Sequence, residues 1–189
     1  MIDRNEAAQA LRSVDMVRSR TITAGAYSAA SPHLLLAGLV WIAGYVATGL
    51  THPTQWPLFW IPLAILCLVG SFVISVRSRR ADPVDPAARI RYAARGLWLS
   101  AAMIVFIEST YLLFRPAELT AYFVFPALLM GLVYAVIGAF GMPRFIWIGA
   151  GIFAVTIAGL LIAPASILFW VAAAGGGGLV LGGLWLRRA

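Results

Sequence analysis

The sequence predicts an all-α fold: a polytopic membrane protein of six transmembrane helices, arranged as three parallel helical hairpins with both termini in the cytoplasm. Three observations carry the prediction, namely the composition, six apolar runs of similar length and a one-sided distribution of arginine. Of the 189 residues, 62% are hydrophobic and 11% charged, against about 45–50% and about 25% in soluble domains. The apolar excess has to face lipid. The runs are Leu34 to Leu50, Trp56 to Val76, Leu97 to Phe114, Leu119 to Phe140, Phe145 to Ile162 and Ile167 to Leu186. Each approaches the roughly 20 residues that cross a hydrocarbon core about 30 Å thick. Lipid offers backbone groups no hydrogen-bond partner, so runs of this length are helical, whereas barrel strands would be shorter and alternating.

All 14 basic residues are arginines. Arg4, Arg12, Arg18, Arg20, Arg77, Arg79, Arg80, Arg89, Arg91, Arg95, Arg144, Arg187 and Arg188 fall on one side of the six runs and Arg115 alone on the other. The positive-inside rule makes the first side cytoplasmic, here that of a bacterial inner membrane. The net charge of +7 is then a topology signal that also attracts anionic lipid headgroups, and it calls for no nucleic-acid partner. Tryptophan gives an independent check, because indole rings favour the membrane–water interface. Trp56, Trp60 and Trp170 lie near the outer ends of their runs and Trp98, Trp147 and Trp185 near the inner ends, with Trp41 the exception at mid-run.

Along the chain, residues 1–31 read as a cytoplasmic amphipathic helix followed by a linker, and residues 32–189 as the six-helix domain. Asp3 and Glu6 have capping-box spacing, and Ala7, Ala10, Leu11, Val14 and Val17 recur at helical intervals opposite arginines. Such a helix lies on the membrane surface, docks on a partner or packs on the protein's own loops. Thr21 to Ser31 is the expected linker, and Ser31-Pro32 the expected cap and first-turn proline of the first span. The first apolar run starts too late and is too long for a cleaved signal peptide, so it is expected to stay in the mature protein. The longest connection, Arg77 to Arg95, holds Asp82-Pro83-Val84-Asp85-Pro86, where Asp85-Pro86 is placed to start a helix that continues into the third span.

An internal repeat is visible in the outer turns. Gly49-Leu50, Phe59-Trp60 and Arg77 recur as Gly159-Leu160, Phe169-Trp170 and Arg187, and Leu112 to Leu119 aligns with Leu160 to Ile167. Each outer turn carries a proline: Pro53, Pro116 and Pro164. Three parallel hairpins around a pseudo-threefold axis follow from this reading, unlike the inverted repeats of many transporters. Three hairpins with glycines, an outer-turn proline and an inner-end arginine resemble the acid-resistance HdeD family of bacterial membrane proteins. The pattern is equally similar to other bacterial six-helix proteins with a polar first helix and a Gly-rich last helix ending in Arg-Arg. The resemblance covers the six spans as architecture and supplies no catalytic residues; the basic N-terminal segment departs from the HdeD pattern.

Glu108 is the one ionisable side chain well inside a predicted span, six positions before Phe114 and so roughly 9 Å from the outer end of its helix. A charge near a helix centre costs roughly 2.5 to 3.5 kcal/mol on insertion scales. Ser100, Ala101, Ile104, Glu108, Tyr111 and Arg115 share one side of the helix. Two readings stand: Glu108, with Ser100, Tyr111 and Arg115 beside it, binds a proton or cation in an outward vestibule, or Glu108 is a structural carboxyl bonded to a neighbouring helix.

Gly178 and Gly182, in the run Gly175 to Gly178 and Gly182-Gly183, have GxxxG spacing, which suits a helix interface within the protomer or between protomers. Pro62 and Pro126 free the carbonyls of Leu58 and Tyr122, which either line a polar pocket with Glu108 or mark tolerated kinks. His33 and His52 stand at opposite ends of the first span and cannot share a metal, being roughly 28 Å apart along a helix. With Cys67 the single cysteine, an intrachain disulfide, a dithiol motif and a cysteine metal cluster are excluded. No catalytic residues, metal site or cofactor are expected. The partners expected are membrane lipids, a second copy of the chain, or another membrane or cytoplasmic protein. Function is thus expected to be non-enzymatic and accessory or stress-related, with lipid or a partner bound at the basic cytoplasmic face, and the alternative is a small transporter or channel for a proton, cation or hydrophobic solute that uses Glu108.

Overall fold

The computed structural model describes residues 4–81 and 86–188, with side chains described at Val14, 23–77 and 98–188. Every regular element among the described residues is helical: α1 (Arg4–Leu50), α2 (Trp56–Ala81), α3 (Pro86–Phe114), α4 (Leu119–Ala139) and α5 (Arg144–Ile162). The last span comprises α6 (Ile167–Val171), a π-helical segment Ala172–Gly177 and α7 (Gly178–Leu186). Short 3-10 turns at Pro53–Gln55 and Pro164–Ser166 open α2 and the last span.

Five helical stretches are long and apolar enough to cross a membrane: Thr23–Leu50, Pro53–Arg77, Leu119–Ala139, Arg144–Ile162 and Pro164–Leu186. The apolar part of α3 among the described residues, Trp98–Phe114, is shorter. Helix α3 begins at Pro86, where the proline's missing N–H and fixed φ suit the first helical position.

At the start of the chain the structure corrects the expected order of helix, linker and capped span. Helix α1 runs unbroken through residues 21–31, and Pro32 lies inside it. Ser31 is no cap. Its hydroxyl donates 2.8 Å to the carbonyl of Gly183 in the last span, and this buried bond, with the packing of α1 on that span, holds the helix together at the proline. Asp3 lies outside the described residues, as do the side chains of the expected amphipathic face other than exposed Val14.

Four consecutive pairs of helices run antiparallel. Gly44 faces Trp60 and Gly70 faces Leu36 between α1 and α2, while Tyr111 meets Tyr122 and Phe106 meets Phe125 between α3 and α4. Gly138 faces Ile146 between α4 and α5, and Gly182 faces Ile148 between α5 and the last span. Along α1, Ser31, Gly38 and Gly49 face Gly183, Gly176 and Phe169 in turn.

The most extensive packing joins α4 to α5 and α1 to the last span, whereas α2 leans on α1 and α3 touches α4 lightly. Apolar surface in lipid gains nothing by leaving lipid, so helix association depends on close backbone approach and interhelical hydrogen bonds. Both are present here: Gly131 faces Gly149 and Gly38 faces Gly176, and the Trp60 indole N–H donates 2.9 Å to the hydroxyl of Thr48, which donates 2.7 Å to the Gly44 carbonyl. One buried cluster, at the Ser31–Gly183 end, includes Tyr27, Leu34, Phe145, Ile152, Leu179 and Leu186. A second, toward the other end, includes Tyr45, Val124, Ala127, Ile167 and Val171. No residue in the most apolar stretch of α2 is buried, against half of those in the last span. Exposed Leu58, Leu68 and Phe72 on α2, and Phe106 and Leu113 on α3, are tolerable because the surrounding medium is hydrocarbon.

Candidate functional site

Antiparallel packing gathers Arg77, Arg144, Arg187 and Arg188 at one end of the bundle, and leaves Arg115 at the other. Arg144 opens α5 and is held by α1 and the last span. Its backbone N–H donates to the Tyr27 hydroxyl at 3.3 Å and its guanidinium donates to the Trp185 carbonyl at 3.0 Å. The guanidinium carbon stands 5.5 Å from the Tyr27 ring centroid and 5.2 Å from that of Trp185, within the range of cation–π attraction. A helix leaves its last four carbonyls without partners and its C-terminus partly negative. Here the Trp185 carbonyl accepts from Arg144 and from the Arg188 N–H, and the Gly183 carbonyl from Ser31 and the Arg187 N–H.

Beside this clamp, Ser28, Ser31, Pro32, Leu35 and Arg187 line a half-open cleft of about 260 Å³. Trp98 and Trp147 are strongly exposed and Trp185 partly so, as interfacial anchors are. Trp41, the tryptophan outside the belts, packs on Gly175 and Tyr45 in the interior.

The stripe on α3 is spread out. Ser100, Glu108 and Arg115 are exposed, and at 1.5 Å per residue they extend over roughly 22 Å of helix. Glu108 makes no hydrogen bond or ion pair among the described residues. Tyr111 is half-buried and turned to α4, where its hydroxyl donates 2.7 Å to the Tyr122 carbonyl and its ring meets those of Tyr122 and Phe125 at 4.6 and 5.9 Å. That carbonyl is the one Pro126 leaves without its helical donor. Arg115 follows the end of α3 with φ 41°, and its N–H bonds the Tyr111 carbonyl at 2.9 Å, the αL motif that ends many helices, here without glycine.

Gly178 and Gly182 face Ile152 and Ile148 of α5, while Gly175, Gly176 and Gly183 face Trp41, Ile42 and Leu35 of α1. The glycines thus serve two faces of one span within the protomer. The π segment between them is a feature the residue pattern did not disclose; there the Gly178 N–H reaches back to the Ala173 carbonyl, and bare glycines let the wider turn fit between α1 and α5.

Two buried polar groups have no partner among the described residues, the Trp56 indole N–H and the Thr156 hydroxyl. His33 and His52 stay apart on α1 and just after it, and no cluster of metal-ligating side chains occurs among the described residues.

No protein-family model, curated protein or solved structure matches the chain.

Proposed function

We propose that this chain is a six-span protein of the bacterial inner membrane, with three parallel hairpins and both termini cytoplasmic, that acts without catalysing a reaction, by binding lipid or a partner protein at its basic cytoplasmic face. One observation carries the reading: among the described residues, Arg77, Arg144, Arg187 and Arg188 share an end with Trp98, Trp147 and Trp185, opposite an end that holds Arg115. Each arginine near an anionic leaflet contributes about 1 kcal/mol of attraction, so such a rim favours anionic headgroups or an acidic protein surface. Its Arg144 is already engaged by the bundle, while among the described residues Arg77, Arg187 and Arg188 are the ones offered to a partner. The stress-related part of the reading rests on the likeness to the HdeD hairpin pattern, and the sixth span on the apolar run through α3. Removing residues 1–20, with four of the arginines, is expected to weaken co-purification of anionic lipid and of any bound protein; unchanged association sinks the reading.

A second reading, a small transporter or channel for a proton, cation or hydrophobic solute, draws on Glu108, exposed on a span without a compensating partner among the described residues. Acids at such positions commonly mark ion pathways. Reconstituted, pH-dependent flux lost in Glu108→Gln supports it, and flux untouched by that substitution removes Glu108 from the path.

A further inference from the structure

We propose that the cleft between α1 and the end of the last span binds one phospholipid headgroup, with Arg187 holding the phosphate and the Ser28 carbonyl accepting from a donor group on the headgroup alcohol. The proposal rests on the basic-face reading above and gives it a specific site. The lining combines unlike residues in about 260 Å³: the cationic Arg187, the hydroxyl-bearing Ser28 and Ser31, Pro32 and the apolar Leu35. The Ser31 hydroxyl is committed to the Gly183 carbonyl, which leaves Arg187 and Ser28 as the polar groups open to a ligand.

Pro32 has no N–H and lies inside α1, so the Ser28 carbonyl, four residues back, lacks its helical donor. Ser28 and Pro32 both line the cleft, so the freed acceptor belongs to a residue of its wall. Bulk water satisfies such a carbonyl only in part at the membrane interface, the depth marked by Trp185 two residues before Arg187. A cation and a bare acceptor side by side match a phosphate followed by an ammonium or hydroxyl, as in ethanolamine or glycerol headgroups. Choline carries the same phosphate but no donor. Leu35 gives the cleft an apolar lining residue, against which the glycerol and first methylenes of the lipid would lie.

The test is native mass spectrometry of the full-length protein released from nanodiscs of phosphatidylethanolamine, phosphatidylglycerol or phosphatidylcholine. One retained ethanolamine or glycerol lipid is expected, about tenfold above choline lipid, as one hydrogen bond of roughly 1.4 kcal/mol would give. Arg187→Gln is expected to abolish retention and Arg188→Gln to keep it, while Pro32→Ala, which restores the donor to Ser28, is expected to narrow the preference over choline. Equal loss in Arg187→Gln and Arg188→Gln overturns the cleft and leaves the basic-face reading in place. Equal retention of all three lipids by the unaltered protein overturns the role of Ser28. Displacement by millimolar inorganic phosphate overturns a lipid occupant. If no lipid is retained the cleft site fails, and the basic-face reading fails with it only where removal of residues 1–20 is also without effect.

Discussion

Gly38 of α1 and Gly176 of the last span meet backbone to backbone: a Cβ on Gly38 would lie 2.7 Å from the Gly176 carbonyl oxygen, and one on Gly176 would lie 2.8 Å from that of Gly38. Neither oxygen belongs to a side chain that can turn away. Gly176→Ala is therefore expected to force the two helices apart and to destabilise the bundle by about 1 to 3 kcal/mol, the usual cost of overpacking. Gly151 is the control. Nothing lies within 4 Å of a Cβ there, so Gly151→Ala is expected to stabilise α5 by roughly 0.5 to 1 kcal/mol through helix propensity. Unfolding of both variants in mild detergent distinguishes a crossing point from a tolerant surface.

Tyr111 and Pro126 form a functional pair, because the hydroxyl of one bonds the carbonyl left open by the other. Interhelical bonds of this kind average about 0.6 kcal/mol in membranes and reach about 1.7. Tyr111→Phe is expected to cost an amount in that range. In a Pro126→Ala background, where a helical N–H again reaches Tyr122, the same substitution is expected to cost less. A double-mutant cycle reads the difference, and additive effects would mean that the carbonyl has no need of the tyrosine.

Arg144→Ala removes a hydrogen bond to the last turn of α7 and two ring contacts, and is expected to cost about 1 to 2 kcal/mol. Lysine keeps the charge but lacks the planar fork that stacks between two rings. Arg144→Lys should recover a minor part of the loss in thermal unfolding, and full recovery would reduce Arg144 to a topology signal.

Thr156 is fully buried with a hydroxyl that no described group satisfies. Valine has nearly the same shape and no polar atom, so Thr156→Val is expected to be neutral or to stabilise by about 1 kcal/mol. Marked destabilisation would show instead that the hydroxyl holds a bound water or ligand.

Five of the six expected spans were legible because hydropathy and helix length are set by the bilayer, whereas the apolar part of α3 among the described residues, Trp98–Phe114, is shorter. Pro86 stands at the first described position of α3, which suits a proline. Gly178 and Gly182 lie against Ile152 and Ile148 of α5, neighbours that GxxxG spacing alone does not name. Ser31-Pro32 misled, since the same dipeptide that caps a soluble helix is tolerated mid-helix once the serine finds a carbonyl on another span. The π segment was hidden because four consecutive glycines carry no side-chain pattern from which to read a change of period. In the sequence Arg144 shows only its charge, because its clamp depends on Tyr27 and Trp185, residues remote in sequence that only folding brings together. Helical spacing groups Tyr111 with Glu108, and the Tyr111 hydroxyl is turned to α4.

The claim on which the functional reading stands is that the arginine-bearing end faces the cytoplasm, and cysteine accessibility in intact cells tests it most directly. In a Cys67→Ser background, Ala117→Cys lies between α3 and α4 and Arg188→Cys follows α7. A membrane-impermeant maleimide is expected to label Ala117→Cys in intact cells and Arg188→Cys only after permeabilisation. Labelling of Arg188→Cys in intact cells, with Ala117→Cys protected, would contradict the orientation and with it the basic cytoplasmic face.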